Sequence, residues 1–168
     1  MSLNSTAFSQ IAVVPIRSGL LFGGLGAVAW GTGAPFIFPS LGPTAFLLSI
    51  RPQGHDARRA WAVIGGHAWG VAAGLASYHL LLSGASLMDL QAPGTQLGLA
   101  LAASGTLATA LTSALMIGTR SVHPPACATT LIVSLGLLST PTEGTIIVGA
   151  VTILYVLGAA SSWLRFTS

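Results

Sequence analysis

Charged residues are scarce in this sequence. The chain has 168 residues, of which 5% are charged, and all six of its basic residues are Arg because it contains no Lys. A soluble domain carries about 25% charged residues, which help to cover its surface with polar groups. The scarcity of charge excludes an ordinary soluble enzyme, a disordered tail and a nucleic-acid binder. It indicates that lipid surrounds most of the surface.

The sequence also has only one cysteine and few clustered basic residues. Cys127 is the single cysteine, so the chain has no internal disulfide. A net charge of +3 suggests a basic protein, but the only basic cluster is Arg51, Arg58 and Arg59. We interpret this cluster as a cytoplasmic anchor loop, with a ligand patch as the alternative. The sequence has no P-loop motif, so we expect any transport to be passive or driven by an ion gradient.

Long uncharged runs dominate the sequence instead. A transmembrane helix needs about 20 consecutive apolar residues, and four runs satisfy this requirement. We predict long transmembrane helices at about 12–32, 61–83, 96–118 and 144–164. Residues 1–16 lack the basic start of a signal peptide, so we expect the chain to stay in the membrane as made. The predicted fold class is an all-α membrane protein, with residues 1–168 forming one membrane domain.

Two further apolar segments, 33–50 and 120–138, open with Pro-rich sequence and continue as short apolar runs. These runs are too short to span a membrane as helices on their own. Pro is favoured in the first turn of a helix and disrupts its interior. We therefore predict extended chain followed by a half-helix, which starts at Pro43 in the first segment and at Pro124-Pro125 in the second.

The two broken segments also indicate an internal repeat. At a shift of 81 residues, GPTA at 42–45 aligns with HPPA at 123–126. The shift predicts two halves, about 12–83 and 96–164, each made of a long helix, a broken segment and a long helix. Three crossings in each half would invert the second half relative to the first, which is an inverted 3+3 pseudo-repeat.

The positions of the Arg residues favour this topology. With the N-terminus in the cytoplasm, Arg17, the 51–59 loop, Arg120 and Arg165 all fall on the cytoplasmic side, as the positive-inside rule requires. The alternative has four spans and two re-entrant loops, and it moves the 51–59 loop outside. We expect a multi-pass protein of the bacterial inner (plasma) membrane with the N-terminus and the 51–59 loop in the cytoplasm.

The broken segments are the predicted transport site, because non-helical chain at membrane depth occurs where protein covers it or where it lines a cavity. Free N–H groups and the positive dipole end of a half-helix suit a small anion. The candidate substrate-binding residues are His67, Ser40, Gly42, Pro43 and Thr44 in the first half, and Arg120, Ser121, His123, Pro124, Pro125, Thr129 and Thr130 in the second.

Three of these candidates also have a structural interpretation. Arg120 is compatible with a position at the cytoplasmic interface rather than in a pathway. His123 is compatible with a capping or bridging role between packed segments, and His67 with a hydrogen bond to a backbone carbonyl. Ionisable residues inside a membrane segment nevertheless favour a functional role.

Small residues on one helix predict close helix contacts. Gly66, Gly70 and Gly74 form a GxxxGxxxG ridge, which allows another helix to approach closely. The ridge is compatible with internal contacts or with a homo-oligomer. It also supports the alternative function, a non-transporting assembly subunit that binds a partner through this face.

Two other functions find no support in the residues. For a haem site, His67 and His79 are twelve residues apart and about 120° out of phase on a helix, and CxxCH is absent. An intramembrane hydrolase would need a GxSxG motif or an Asp at membrane depth to orient a His, and neither is found. We predict no cofactor, no metal site and no enzymatic activity.

Three stretches carry a resemblance to a known family: PSLGPTAFLLSIRP (39–52), VIGGHAWGVAAG (63–74) and HPPACATTLIVSLG (123–136). On these stretches the chain resembles the HPP family of integral membrane proteins, over about 17–164. Two positions depart from the family pattern. Cys127 stands where Gly is frequent, and Trp61-Ala62 stands where Arg-Asn is frequent.

The resemblance implies a four-spanning membrane protein and, through members from cyanobacteria and plastids that are linked to nitrite transport, a channel or secondary transporter for nitrite. Nitrite and the lipid bilayer are then the expected partners, with no nucleic acid. We expect the anion to bind near the midplane between the two half-helices. His67 and His123 would donate hydrogen bonds or carry a proton that compensates for its charge.

Overall fold

A computed structural model describes residues 5–50, 57–82 and 84–160. These residues form helices joined by turns and short loops, with no strand among them. The helices are α1 (Ser5–Thr32), α2 (Ile37–Ile50), α3 (Ala57–Ala60), α4 (Gly66–Leu81), α5 (Gln96–Gly118), α6 (Ala126–Ser134) and α7 (Pro141–Ala160). A π-helical turn, Trp61–Gly65, joins α3 to α4, and a 3-10 turn, Leu87–Asp89, lies before α5. The prediction of an all-α chain is confirmed.

Three of the four predicted long helices are long and apolar enough to cross a membrane. They are Val13–Thr32 within α1, the whole of α5 and the whole of α7. The fourth, predicted at 61–83, differs because the π-helical turn replaces its first five residues and α4 has 16 residues. Helical segments nevertheless follow one another without a gap from Ala57 to Leu81.

The first broken segment differs from the prediction. Helix α2 begins at Ile37, and Pro43 lies inside it rather than at its start. A tight turn precedes the helix instead of extended chain, because Ile37 N–H donates to Ala34 O at 3.2 Å and Phe38 N–H donates to Pro35 O at 3.2 Å. Pro costs a helix one hydrogen bond, and an apolar segment packed on its neighbours can tolerate that loss.

The second broken segment agrees better with the prediction. Non-helical chain follows α5, and the nine-residue α6 begins at Ala126, directly after Pro124 and Pro125. Arg120 starts this connection with a positive φ of 56°, which ends α5 sharply. Nine helical residues cover about 14 Å at 1.5 Å per residue, less than half of a bilayer core.

Hydrogen bonds at opposite ends of α4 show that this second segment runs the length of the helix. At one end Trp61 Nε1–H donates to Thr119 O at 3.0 Å, just before the segment begins. At the other end Leu87 N–H donates to Leu135 O at 2.9 Å, just after α6 ends. The segment therefore passes from one end of the helices to the other and does not fold back to the end where it began.

The two ends carry opposite charges. Arg58 and Arg59 lie three and two residues before Trp61, and Arg120 directly follows Thr119, so we call this the arginine end. The other end, which we call the acidic end, holds Asp89 and Glu143. Both acids cap helical turns there, as Glu143 accepts from Thr140 N–H at 2.9 Å and Asp89 from Ser86 N–H at 2.8 Å. Capping accounts for the positions of both carboxylates.

The glycine ridge of α4 contacts the second broken segment. A Cβ added at Gly66 would lie 2.9 Å from His123 Cβ, and one added at Gly74 would lie 2.8 Å from Val133 Cβ. At Gly70 it would lie 3.0 Å from Ala126 O. The ridge is therefore an internal packing surface, covered by the chain itself. A homo-oligomer would have to use another face.

The internal repeat is not confirmed. Under a shift of 81 residues, the first part of α2 falls on the non-helical chain before α6 and only its last part falls on α6, so the two broken segments correspond only in part. The pattern that suggested the repeat, a Pro beside small residues, occurs inside a helix in one copy and before a helix in the other.

Candidate functional site

Five buried polar side chains meet between α2, α4 and the second broken segment. Each is at most 4% exposed. We call this set the His–Thr cluster, and it consists of Ser40, Thr44, His67, His123 and Thr129. All five were predicted as site residues from the sequence. Burial of so many polar groups is tolerated only when they bond to one another.

His67 is the centre of the His–Thr cluster. Its Nε2 lies 2.8 Å from Thr44 Oγ1, and its Nδ1 lies 2.6 Å from Thr129 Oγ1. A neutral imidazole has one N–H donor and one nitrogen acceptor. One of the two hydroxyls therefore donates to the ring while the other accepts from it.

His123 and Ser40 extend the cluster in opposite directions. His123 Nε2 lies 3.0 Å from Thr44 Oγ1, the oxygen that also contacts His67. Ser40 Oγ lies 2.7 Å from Thr129 Oγ1. The five side chains thus form one unbranched chain of four hydrogen bonds, which runs His123, Thr44, His67, Thr129, Ser40.

Local structure explains how these residues come together. Ser40 and Thr44 are four residues apart, so they lie on one face of α2. Gly66 leaves room for the backbone at His123 to approach α4, as its missing Cβ shows. His67 follows that glycine directly, and its ring lies 5.3 Å from the His123 ring.

Electrostatics limits the charge that this cluster can hold. The two imidazole rings lie 5.3 Å apart and are tilted by 54°. Two positive charges at that distance repel by about 3 kcal/mol at an effective dielectric of 20. With both rings neutral, each of the four hydrogen bonds can be satisfied. Mutual repulsion therefore opposes protonation of both rings at once.

Thr130 and Ser121 lie next to the cluster but bond elsewhere. Thr130 Oγ1 lies 3.0 Å from Thr112 Oγ1 on α5 and donates to Ala126 O at 3.2 Å. Ser121 Oγ lies 2.8 Å from Thr119 Oγ1 at the arginine end. Both hydroxyls are fully buried and join the second broken segment to α5.

The remaining predicted residues lie outside the cluster. Arg120, Pro43 and Pro124 are exposed, and Pro125 is partly exposed. Gly42 is buried, and a Cβ added there would lie 2.9 Å from the Phe22 ring. These residues shape the turns and helix contacts around the cluster, while the imidazoles and hydroxyls supply its polar atoms.

The sequence predicted free backbone N–H donors at the start of the half-helix, and the structure differs from this prediction. At the start of α6, Ala126 N–H donates to His123 O at 2.9 Å and Cys127 N–H donates to Pro124 O at 3.0 Å. Pro125 has helical backbone angles, with φ −56° and ψ −23°, so the first turn closes on itself. Side chains rather than backbone amides are therefore the donors that this site offers in the structure.

Two buried hydroxyls on α5 were not predicted. Thr112 bonds to Thr130, and Ser104 Oγ donates to Ser134 O at 2.7 Å. They lie within a long apolar helix, where hydropathy alone does not reveal them. Their signal is spacing, because Ser104, Ala108 and Thr112 are four residues apart on one face and all three are fully buried.

Among the described residues, the remaining histidine, His79, does not join this site. The His79 ring packs edge-on against Tyr78, with ring centroids 5.1 Å apart, and its side chain is exposed. Across the described ranges, no three side chains of His, Cys, Asp or Glu come close enough together to hold a metal ion.

Comparison with protein families identifies the chain. The family model described as HPP, transmembrane region, matches residues 4–167. The chain belongs to the HPP transmembrane family. Comparison with curated proteins and with solved structures gives no match.

The HPP-like stretches of the sequence meet at the His–Thr cluster. The first stretch, 39–52, supplies Ser40 and Thr44. The second, 63–74, supplies His67 and the glycine ridge, and the third, 123–136, supplies His123 and Thr129. The His of the HPP tripeptide is therefore a cluster residue, and its two Pro residues form the turn that leads into α6.

Proposed function

We propose that this HPP protein is a membrane permease for a small inorganic anion, with nitrite as the substrate. The observation that carries the proposal is the buried His–Thr cluster at the break before α6. Nitrite as the particular anion follows from the family resemblance. The cluster offers hydroxyl and imidazole donors and contains no carboxylate.

The chemistry of the cluster suits an anion. An ion that enters a low-dielectric interior loses its hydration, at a cost that only new hydrogen bonds or opposite charge can offset. The cluster holds three hydroxyls and two imidazoles within hydrogen-bond distance of one another. The two acidic residues of the described ranges, Asp89 and Glu143, cap helical turns at the acidic end.

Access to the cluster requires a change of conformation. Its side chains are at most 4% exposed and bond to one another, so the structure represents a closed state. The contact of Thr44 with both histidines joins α2 to α4 and to the second broken segment.

Flux of nitrite into liposomes tests the proposal. Purified protein is reconstituted, and nitrite entry is followed at a pH high enough to suppress leakage of neutral nitrous acid through the lipid. We expect entry above that of protein-free liposomes, and a fall of about tenfold or more in the His123→Ala variant because a buried donor is lost.

The control is His79→Ala, which removes an exposed histidine outside the cluster and should leave flux unchanged. Folding of each variant is checked by its elution profile in detergent. Absence of flux from folded wild-type protein would contradict the proposal. Equal flux from His123→Ala and the wild type would remove His123 from the pathway.

We further propose that the protein lies in a bacterial inner membrane with the arginine end in the cytoplasm. Arg58, Arg59 and Arg120 lie at this end and the acidic caps lie at the other, which is the asymmetry that the positive-inside rule describes.

Cysteine labelling tests this orientation. In a Cys127→Ala background, Met88→Cys marks the acidic end and Ala57→Cys marks the arginine end, and both positions are exposed. We expect a membrane-impermeant maleimide to label Met88→Cys in intact cells and Ala57→Cys only after permeabilisation. The reverse pattern would place the arginine end outside.

A further inference from the structure

We propose that the His–Thr cluster is a proton relay, so that the permease moves a proton together with each anion. This inference rests on the proposed function and deepens it. The geometry that points to it is the unbranched order of the four hydrogen bonds, in which hydroxyls alternate with imidazoles. Each of these groups can both donate and accept one hydrogen bond.

The chain of hydrogen bonds has two complete arrangements. In the first, every donor points towards Ser40. His123 Nε2–H donates to Thr44, the Thr44 hydroxyl donates to His67 Nε2, and His67 Nδ1–H donates to Thr129. Thr129 then donates to Ser40. All four contacts of 2.6 to 3.0 Å are satisfied, and both rings are neutral.

In the second arrangement every donor points towards His123. Ser40 donates to Thr129, Thr129 donates to His67 Nδ1, and His67 Nε2–H donates to Thr44. The Thr44 hydroxyl then donates to His123 Nε2, and His123 carries its proton on Nδ1. The same four contacts are again satisfied.

Passage of one proton converts the first arrangement into the second. A proton binds His123 Nδ1, and the N–H bond at His123 Nε2 breaks as an O–H bond forms at Thr44. Thr44 passes its original proton to His67 Nε2, His67 Nδ1 passes its proton to Thr129, and Thr129 passes its own to Ser40. Ser40 releases its original hydroxyl proton to water that reaches it when the closed cluster opens. One proton enters and one leaves, and no residue changes its net charge.

The relay has a direction within the fold. His123 lies beside Gly66, near the arginine end, and is the one member of the cluster with measurable exposure, at 4%. Ser40 lies one helical turn before Thr44 on α2, further from that end. Protons therefore move along the axis of α2, with His123 as the member nearest the arginine end.

Other titratable groups are set apart from the relay in the described chain. Arg120 is exposed, Glu143 bonds Thr140, and His79 packs on Tyr78. The remaining titratable side chains on the elements packed around the cluster are Arg17 on α1, Cys127 on α6 and Tyr155 on α7.

Thr44 is the position that tests the relay, because its hydroxyl bonds to both rings. Thr44→Val removes the hydroxyl and Thr44→Ser keeps it. Ser104→Ala removes a buried hydroxyl bond of 2.7 Å between α5 and Ser134 O, outside the relay, and is the matched control. Elution profile and melting temperature of each variant confirm that it folds.

The measurement pairs nitrite entry with luminal pH. The liposomes contain a pH-sensitive dye that reports the luminal pH. Valinomycin, with equal potassium on both sides, holds the membrane potential at zero. Protein-free liposomes measure the leak of nitrous acid through the lipid. We expect about one proton per nitrite in the wild type, in Thr44→Ser and in Ser104→Ala. In Thr44→Val we expect the ratio of protons to nitrite to fall about tenfold or more.

A second measurement separates the relay from the permease. Proton flux is driven by an imposed pH gradient with equal nitrite on both sides of the membrane, and the relay predicts that Thr44→Val lowers it while Thr44→Ser does not. Nitrite entry without protein-dependent proton movement would overturn the relay and leave the permease. Proton flux that depends on Thr44, without nitrite entry, would support the relay and overturn the permease. Absence of both fluxes would overturn both.

Discussion

Replacement of His67 by alanine is expected to abolish nitrite entry and to lower the melting temperature of the purified protein. His67 is fully buried, and both of its ring nitrogens bond to hydroxyls, at 2.8 Å to Thr44 and 2.6 Å to Thr129. Its removal leaves a cavity and deprives two buried hydroxyls of a partner. Together these losses are expected to cost about 3–5 kcal/mol in the free energy of unfolding.

The size of the effect on transport follows from the central place of His67. Loss of an end of the cluster, as in His123→Ala, removes one hydrogen bond, whereas loss of His67 removes two and divides the cluster into separate halves. We therefore expect nitrite entry to fall by about a hundredfold or more, to the level of protein-free liposomes.

The His67→Ala experiment has a matched control and a clear contrary result. His79→Ala removes the same side chain from the same helix, at an exposed position beside Tyr78, and should change neither entry nor stability by much. His67→Gln keeps a side chain of similar size and part of the hydrogen bonding. Relative to His67→Ala, we expect it to recover more of the stability than of the nitrite entry. Full transport by a stable His67→Ala protein would exclude the cluster as the pathway.

Substitution of Gly74 by alanine is expected to destabilise the protein although alanine favours helices. The added Cβ would lie 2.8 Å from both Val133 Cβ and Val133 Cγ1, and 3.1 Å from Thr130 O. The Cβ of a helical residue is fixed by its backbone, so α6 has to move away from α4. Such overpacking costs about 1–3 kcal/mol, which exceeds the gain of about 1 kcal/mol from helix propensity.

Gly149→Ala is the control for Gly74→Ala. Gly149 lies on α7 and has no atom within 4 Å of an added Cβ, so only the gain in helix propensity remains. We expect the melting temperature in detergent to fall for Gly74→Ala and to stay equal or rise for Gly149→Ala. Equal melting temperatures for the two variants would show that the ridge does not hold the second broken segment against α4.

The sequence predicted much of the secondary structure, for a physical reason. Helices α5 and α7 occur within four residues of their predicted bounds, and α1 ends at the predicted residue but begins seven residues earlier than predicted, at Ser5. Hydropathy reports the solvent around each stretch of chain, and in a membrane every helix must satisfy its backbone internally, so a long apolar run predicts a helix. The break before α6 followed equally from the local chemistry of Pro124 and Pro125.

Local rules were insufficient for the first broken segment. Pro43 was predicted to start a helix, and instead it lies in the seventh position of α2. The prediction counted the hydrogen bond that Pro removes but had no information on contacts. In the structure Leu41, Ala45 and Leu48 of this helix are buried in the core shared with α7, which supports the helix across the Pro.

The candidate site residues show the same difference between what local sequence predicts and what tertiary contacts decide. The sequence proposed twelve candidate residues by their type and their nearness to the breaks, and five of them form the cluster. Thr129 and Thr130 are adjacent and of one type, so the sequence alone did not distinguish them. Because successive helical residues are rotated by 100°, Thr129 faces α2 and α4 while Thr130 faces α5.

By itself the sequence determined that this chain resides in a membrane, that it is helical, and that its polar chemistry is concentrated near the breaks. These properties depend on composition and on neighbours along the chain. Only the tertiary structure decided that Ser40 meets Thr129, 89 residues away, and that Thr44 bridges His67 and His123. Such contacts depend on how helices approach, and that approach is set by the glycine ridge and by α2, over distances that no local pattern encodes.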